Sequence, residues 1–146
     1  MESVRYALAV LCRHPEHPER ILLVQRPEDD PELPGIWGLP AVSLRDGEDD
    51  HAALERLATT KLGTTLLAPH LCGEGEQRRP HYRLRMRLYE AVLQPPTPKL
   101  PPRSGYSEAT LYRAWRWGRL EDLRPSAAAG SLCSQLALRF CDGGIT

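Results

Sequence analysis

A single α/β (α+β) domain is what the sequence predicts, on three observations. Apolar, β-rich runs open the chain, an amphipathic stripe at helical spacing follows, and a later segment alternates apolar with basic residues. At 146 residues the chain is long enough to bury one well-packed core, and residues 1–146 read as one domain without internal repeats.

Val4 to Cys12 and Arg20 to Val24 read as strands, separated by the turn-forming His14-Pro15-Glu16-His17-Pro18, so a hairpin or two nearby strands is expected. Glu28 to Gly35, rich in proline, glycine and acids, is irregular. Trp37 to Leu44 is a short strand pair or extended segment that ends in an Arg45-Asp46-Gly47 turn. Asp49 or Asp50 caps the next helix by accepting orphan N–H groups. Ala53, Leu54, Leu57, Ala58 and Leu62 form its apolar stripe, and Gly63 stops it. The stretch Cys72 to Arg79 (CGEGEQRR) reads as a glycine-rich loop. From His81 to Leu93, Tyr82, Leu84, Met86 and Leu88 share one face of a strand while Arg83, Arg85 and Arg87 share the other. Gln94 to Arg103 is too proline-rich for helix or sheet. Tyr112 to Trp117 reads as a last strand, Trp117-x-x-Leu120-x-x-Leu123 as a turn or short helix, and Ser131 to Phe140 as the C-terminal helix.

Composition excludes several function classes. Lys plus Arg and Asp plus Glu both number 19, so no global field points to nucleic acid or an anionic membrane. No apolar run approaches the ~20 residues that span a bilayer. The N-terminal apolar stretch is short and is followed by Arg13 in place of a cleavage site, which makes a poor secretion signal. Four cysteines show neither C-x-x-C spacing nor a disulfide framework and read as reduced thiols, so the cytoplasm is the expected compartment. Five histidines show no zinc-motif spacing, and neither a P-loop nor a G-x-G-x-x-G is present.

The order of motifs from Ile21 to Gly63 resembles the Nudix (MutT-like) hydrolase family. A strand ends in Gln25-Arg26, Trp37-Gly38-Leu39-Pro40 follows, and a box written G-x5-E-x7-R-E-U-x-E-E-x-G-U fits residues 42–64. Glu48 falls on its first glutamate, Arg56 on its arginine and Gly63 on its last glycine. Trp117, Leu120 and Leu123 match a W-x-x-L-x-x-L element near the family's C-terminus. The resemblance implies an α/β/α sandwich around a mixed β-sheet, with the box as a loop–helix–loop, and an organic pyrophosphate as ligand. It also marks departures. Leu57, Thr60 and Lys61 stand where the family carries three metal-binding glutamates, and Ala41-Val42 stands for its Gly-Gly.

Residues 57, 60 and 61 are i, i+3 and i+4 on a helix, where three glutamates would hold Mg²⁺ through oxygen. Leucine, threonine and lysine offer one weak neutral ligand and one repelling charge, so no metal site is expected there. Mg²⁺ enters only if hydrolysis is retained through other carboxylates. Glu48 and either Glu74 or Glu76 are the candidates for catalytic help, against readings as a Glu48–Arg56 structural pair, the preferred one, and as a solvated turn. Arg56 and Gly63 are structural positions of the box. Lys61, Arg83, Arg85, Arg87 and Trp37 are candidate ligand-binding residues, the lysine and arginines for phosphate by charge-assisted hydrogen bonds. Trp37, Trp115 or Tyr106 would stack on a base; the alternatives are core or lid residues for the aromatics and an ordinary solvated strand face for the three arginines.

Three functions follow. One is a Nudix-type hydrolase for a nucleoside diphosphate linked to another moiety, with metal-dependent hydrolysis weakened or lost. Another is a non-catalytic nucleotide- or anion-binding module, and the third a structural partner docking through the proline-rich segment 94–103. The expected partner is a small phosphate or nucleotide ligand, with neither nucleic acid nor membrane, and self-association as a homodimer is left open.

Overall fold

The computed structural model describes residues 3–30, 33–101 and 111–141. Its centre is β1 (Ser3–Arg13), whose residues Ala7 to Cys12 are all buried. A strand buried on both faces cannot show polar alternation, and its near-continuous apolar run follows from that. One edge of β1 pairs in parallel with β6 (Tyr82–Gln94) from Ser3↔Tyr82 to Arg13↔Val92. The other edge is shared by β4 (Ala41–Ser43) and by β2 (Ile21–Gln25), both antiparallel. β2 also pairs with β3 (Trp37–Gly38) and with β7 (Ala114–Gly118). The sheet ends beyond β6 at β5 (Thr65–Arg78).

Helices cover both faces of this mixed sheet, giving the α/β/α arrangement. Leu8, Val10, Cys12, Leu22 and Val24 face α1 (Asp50–Leu57) and meet Ala53, Leu54 and Leu57. Ala7, Ala9, Leu11, Ile21 and Leu23 face the opposite way and meet Leu132, Leu136 and Ala137 of α3 (Leu132–Phe140). The period of two along β1 and β2 thus sorts the apolar residues into two cores. A short α2 (Arg124–Ala128) follows a 3₁₀ turn over Leu120–Leu123, where the sequence predicts a turn or short helix.

Local chemistry sets the ends of α1. Asp49 is its N-cap and accepts from Ala52 N at 2.8 Å. The last turn, Ala58–Leu62, is π-helical and closes on Gly63 at φ 60°. A side chain at Gly63 would be strained by that φ and would lie 2.6 Å from the Lys99 carbonyl oxygen. The π turn also changes the expected helix face. Leu57 and Lys61 point inward, whereas Thr60 is exposed and donates to Arg56 O at 2.6 Å.

One expectation needs correction. The predicted glycine-rich loop at 72–79 lies almost wholly in β5, paired antiparallel with β6. Gly73 and Gly75 are there because α3 packs directly on the strand. A Cβ at Gly73 would collide with the Phe140 ring, and one at Gly75 would lie 2.6 Å from Leu136 Cδ2. Close approach, not turning, is what these glycines permit. The proline-rich segment is non-helical and non-strand after Gln94, as expected, but it is tied to the body. Trp117 Nε1 donates to Pro96 O at 3.0 Å, Lys99 N donates to Leu62 O at 2.7 Å, and Pro98 is buried. Its end, Pro102-Arg103, and Tyr106 lie outside the described residues. Among the described residues no helix is long and apolar enough to cross a membrane.

Leu136 is buried and cannot swing away, so Gly75→Val is expected to cost about 1–3 kcal/mol by overpacking. Urea denaturation should show a lower midpoint with an unchanged slope.

Candidate functional site

The ends of two helices meet at the sheet edge beside β4. Arg56 and Lys61 come from α1 and its π turn, and Ser131, Leu132 and Cys133 from the start of α3. With Arg26, Arg45, Arg79 and Tyr112 they line a cavity of about 340 Å³. That is the size of a small-ligand site. Among the described residues its charged lining is five cations, Arg26, Arg45, Arg56, Lys61 and Arg79, without any aspartate or glutamate.

Arg56 and Arg26 are held by carboxylates. Glu48 accepts from Arg56 Nε at 2.9 Å and Nη2 at 2.8 Å, and from Arg45 N at 3.0 Å. Arg56 Nη2 also donates to Ser43 O at 2.7 Å, so one guanidinium joins β4, the loop after it and the helix. These bonds, led by Arg56, hold the Glu48 carboxyl down at about 2. Arg26 pairs with the buried Asp30 at 2.9 Å.

Lys61 differs. It is 6% exposed, and among the described residues no carboxylate pairs with it. Its Nζ donates to Ala41 O at 2.7 Å and lies 5.4 Å from the centroid of the Tyr112 ring. An ammonium has three donors, of which Ala41 takes one. Burial first, then the charges of Arg26 and Arg56, bring its pKa down to about 8. The Tyr112 hydroxyl donates to Ala41 O at 3.2 Å and accepts from Ala41 N at 2.8 Å, so this backbone unit has a second partner.

The other sequence-predicted residues lie elsewhere. Arg83, Arg85 and Arg87 share one strand face, as expected, yet none lines the cleft. Arg87 forms a two-point pair with Asp50 at 2.7 and 2.6 Å, which Tyr89 joins at 2.6 Å. Arg83 and Arg85 meet Glu76 at 2.9 and 3.6 Å. Glu74 and Glu76 stand on β5 in register with Arg87 and Arg85, away from the cleft. Trp37 packs against the second core beneath Arg116, 4.6 Å from its ring centroid, and Trp115 packs against the first core. A Mg²⁺ site does not fit the helix face. Leu57 is fully buried in the core, the Thr60 hydroxyl is spent on a carbonyl, and Lys61 brings positive charge.

Sequence reasoning missed Arg45 and Arg79 as cleft residues and treated Arg26 only as the end of a strand. It also missed a second cluster. His70, Cys72 and Glu90 bring ligand atoms within 4.8 Å of one another across β5 and β6. The rule that excludes zinc sees only local spacing, and this group is assembled by strand register.

A scan of the sequence against family models finds no match, and a search of curated proteins finds none either. Solved structures do match. A MutT protein from Methanosarcina mazei Go1 superposes with a TM-score of 0.68 at 17% identity, over 85% of this chain and 83% of that one. A MutT NUDIX hydrolase from Burkholderia pseudomallei gives 0.66 at 23% identity, over 83% and 87%. The chain has the Nudix fold. A Caenorhabditis elegans Ap4A hydrolase, described as a binary complex, shares that fold with a TM-score of 0.66 at 18% identity, over 92% and 93%. Within this Nudix fold the helix after β4 is α1, so the cleft lies against the segment that resembles the box.

Two outcomes test this geometry. The folded Glu48 pKa of about 2 lies below its ordinary 4.5, so its pairing stabilises the fold above pH 4.5 and is lost as pH falls through about 2. Glu48→Gln should flatten the acid-unfolding profile in that window. Lys61 is also lowered, to about 8 from the ordinary 10.5, but here the lowering disfavours the charged form, which costs stability at neutral pH. Wild-type stability from this group rises between pH 8 and 10.5 as the folded protein loses the proton first. Lys61→Met should remove that rise and add about 1–4 kcal/mol at pH 7, as replacement of buried charge by apolar bulk often does.

Proposed function

We propose that this chain binds an organic pyrophosphate, of the class of a nucleoside diphosphate linked to another moiety, in the basic cleft and without a bridging metal. The observation that carries this reading is a buried Lys61, without a carboxylate partner among the described residues, in a cavity whose described lining has five cations and no acid. Burying a lysine beside Arg26 and Arg56 is costly, and an anion relieves both burial and repulsion. Lys61 is a compact point charge with donors to spare, and Arg26 and Arg56 provide planar forks nearby. The N-terminus of α3 opens on the same cavity and adds a favourable end of a helix dipole.

Hydrolysis is the second reading, supported by the likeness of fold to proteins described as hydrolases, among them the Ap4A hydrolase. Fold alone does not carry chemistry. On our reading Glu48 is a positioning residue, because both its oxygens are engaged by Arg56, and Glu74 and Glu76 are too remote to replace the missing carboxylates. Metal-dependent hydrolysis is accordingly lost or severely weakened. Binding is the retained activity.

Calorimetric titration with a nucleoside diphosphate sugar, in Mg²⁺ and in chelator, tests this. Affinity should be unchanged by the chelator and weaken with added salt. It should fall as pH rises through about 8, where Lys61 loses its charge. Lys61→Ala should cost about 1–3 kcal/mol of binding, the worth of a charged hydrogen bond. Tighter binding by Lys61→Glu in Mg²⁺, or Mg²⁺-dependent cleavage of the ligand by the wild-type chain, would restore the hydrolase reading.

A further inference from the structure

On the α3 side of the sheet, at its β5 edge, three metal-ligand side chains, His70, Cys72 and Glu90, converge outside the cleft, and a fourth, Cys141, stands beside Cys72. Cys72 Sγ lies 3.3 Å from Glu90 Oε2, and His70 Nε2 lies 3.7 Å from the same oxygen. The Cys141 thiol, just past the end of α3, interacts with the Cys72 thiol. Zinc–ligand bonds of 2.0–2.3 Å at tetrahedral angles put neighbouring ligand atoms about 3.3–3.8 Å apart. The two separations to Glu90 Oε2 fall in that range, and the three ligand atoms all lie within 4.8 Å of one another.

The surroundings are those that such a site needs. His70 Nδ1 lies 3.4 Å from Ala68 O, which suits an Nδ1–H donor and leaves the Nε2 lone pair for a metal. Arg13 bonds Glu90 through Oε1 and is itself anchored to Pro18 O at 2.8 Å, which leaves Oε2 turned to the sulfur and the imidazole. β5 changes register twice in this stretch, between Leu67 and His70 and between Leu71 and Gly73, and Ala68 sits at φ 51°. Bulges of this kind re-aim side chains. Here they bring His70 and Cys72 against Glu90. His70 is exposed while Cys72 and Glu90 are half-buried, so the group is open on one side to an entering ion.

We propose that His70 Nε2, Cys72 Sγ, Glu90 Oε2 and Cys141 Sγ bind one thiophilic divalent cation of the zinc type. Sulfur and imidazole donors favour zinc over magnesium. As each metal–sulfur bond forms, the thiol gives its proton to solvent, and no electron transfer is involved. The two thiolates and the carboxylate are then balanced by the cation and Arg13. The bound ion crosslinks β5, β6 and the end of α3, so it is a structural closure and not a substitute for the cleft's missing carboxylates.

The test is a Co²⁺ titration of the full chain under a non-thiol reductant, followed by displacement with Zn²⁺. We expect a thiolate-to-cobalt charge-transfer band that saturates at one ion per chain, loss of the band with Zn²⁺, and a higher melting temperature in Zn²⁺. His70→Ala, at a side chain 64% exposed, leaves the metal-free melt unchanged. It should weaken binding by more than the roughly 10–100-fold that loss of an outer-shell partner costs. Cys72→Ser and Cys141→Ser should each diminish the band. Absence of the band, a band unchanged in Cys72→Ser or Cys141→Ser, or a Cys72–Cys141 disulfide that survives the reductant would overturn the proposal.

Discussion

The parallel pairing of β1 with β6 governs the architecture. β1 is buried on both faces from Ala7 to Cys12, and the C-terminal part of β6 sends Leu88 to one core and Ala91 and Leu93 to the other, so each face must be covered, and α1 and α3 supply the two covers. Parallel neighbours also need a long connection, and the chain between β1 and β6 includes β4, α1 and β5. Everything chemically interesting hangs on that route. The cleft opens where β4 leaves the edge of β1 between the two helix ends, and the His70, Cys72, Glu90 group forms where β5 returns against β6.

In the cleft, the ties that frame the site are separable from any chemistry done there. Glu48 and Arg56 tie the loop to the helix by geometry that needs no ligand. Lys61, one turn later, uses a carbonyl and an aromatic ring where a metal-binding glutamate is expected from the family resemblance. A buried charge without a carboxylate is a poor way to stabilise a fold. Its persistence in the cavity is intelligible if an anion shares the cost.

Much of the fold was legible because it is written at short range. The period of two in β1 and β2, the Asp49 cap, the Gly63 stop and the Ser131 start of α3 each rest on neighbours in sequence. The glycines of β5 misled because glycine serves both turns and close packing, and only the position of Leu136 and Phe140 tells which. Arg83, Arg85 and Arg87 were placed on the right face, but Asp50 and Glu76 neutralise them from elements whose register the sequence does not state. The same blindness to register hid His70, Cys72 and Glu90. Arg45 and Arg79 gave no local signal at all, since arginine is common throughout this chain.

The bare backbone beneath α3 has a mechanical consequence. With no side chain at Gly73 or Gly75, the helix lies directly on the strand along its C-terminal half, with Leu136 and Phe140 against bare backbone. The opposite end of that helix, Ser131 to Cys133, is a wall of the cleft. Such a wall has little freedom to mould itself to a guest. A wall packed in this way would discriminate by size and shape before charge is consulted, with little ordering left to be done on binding.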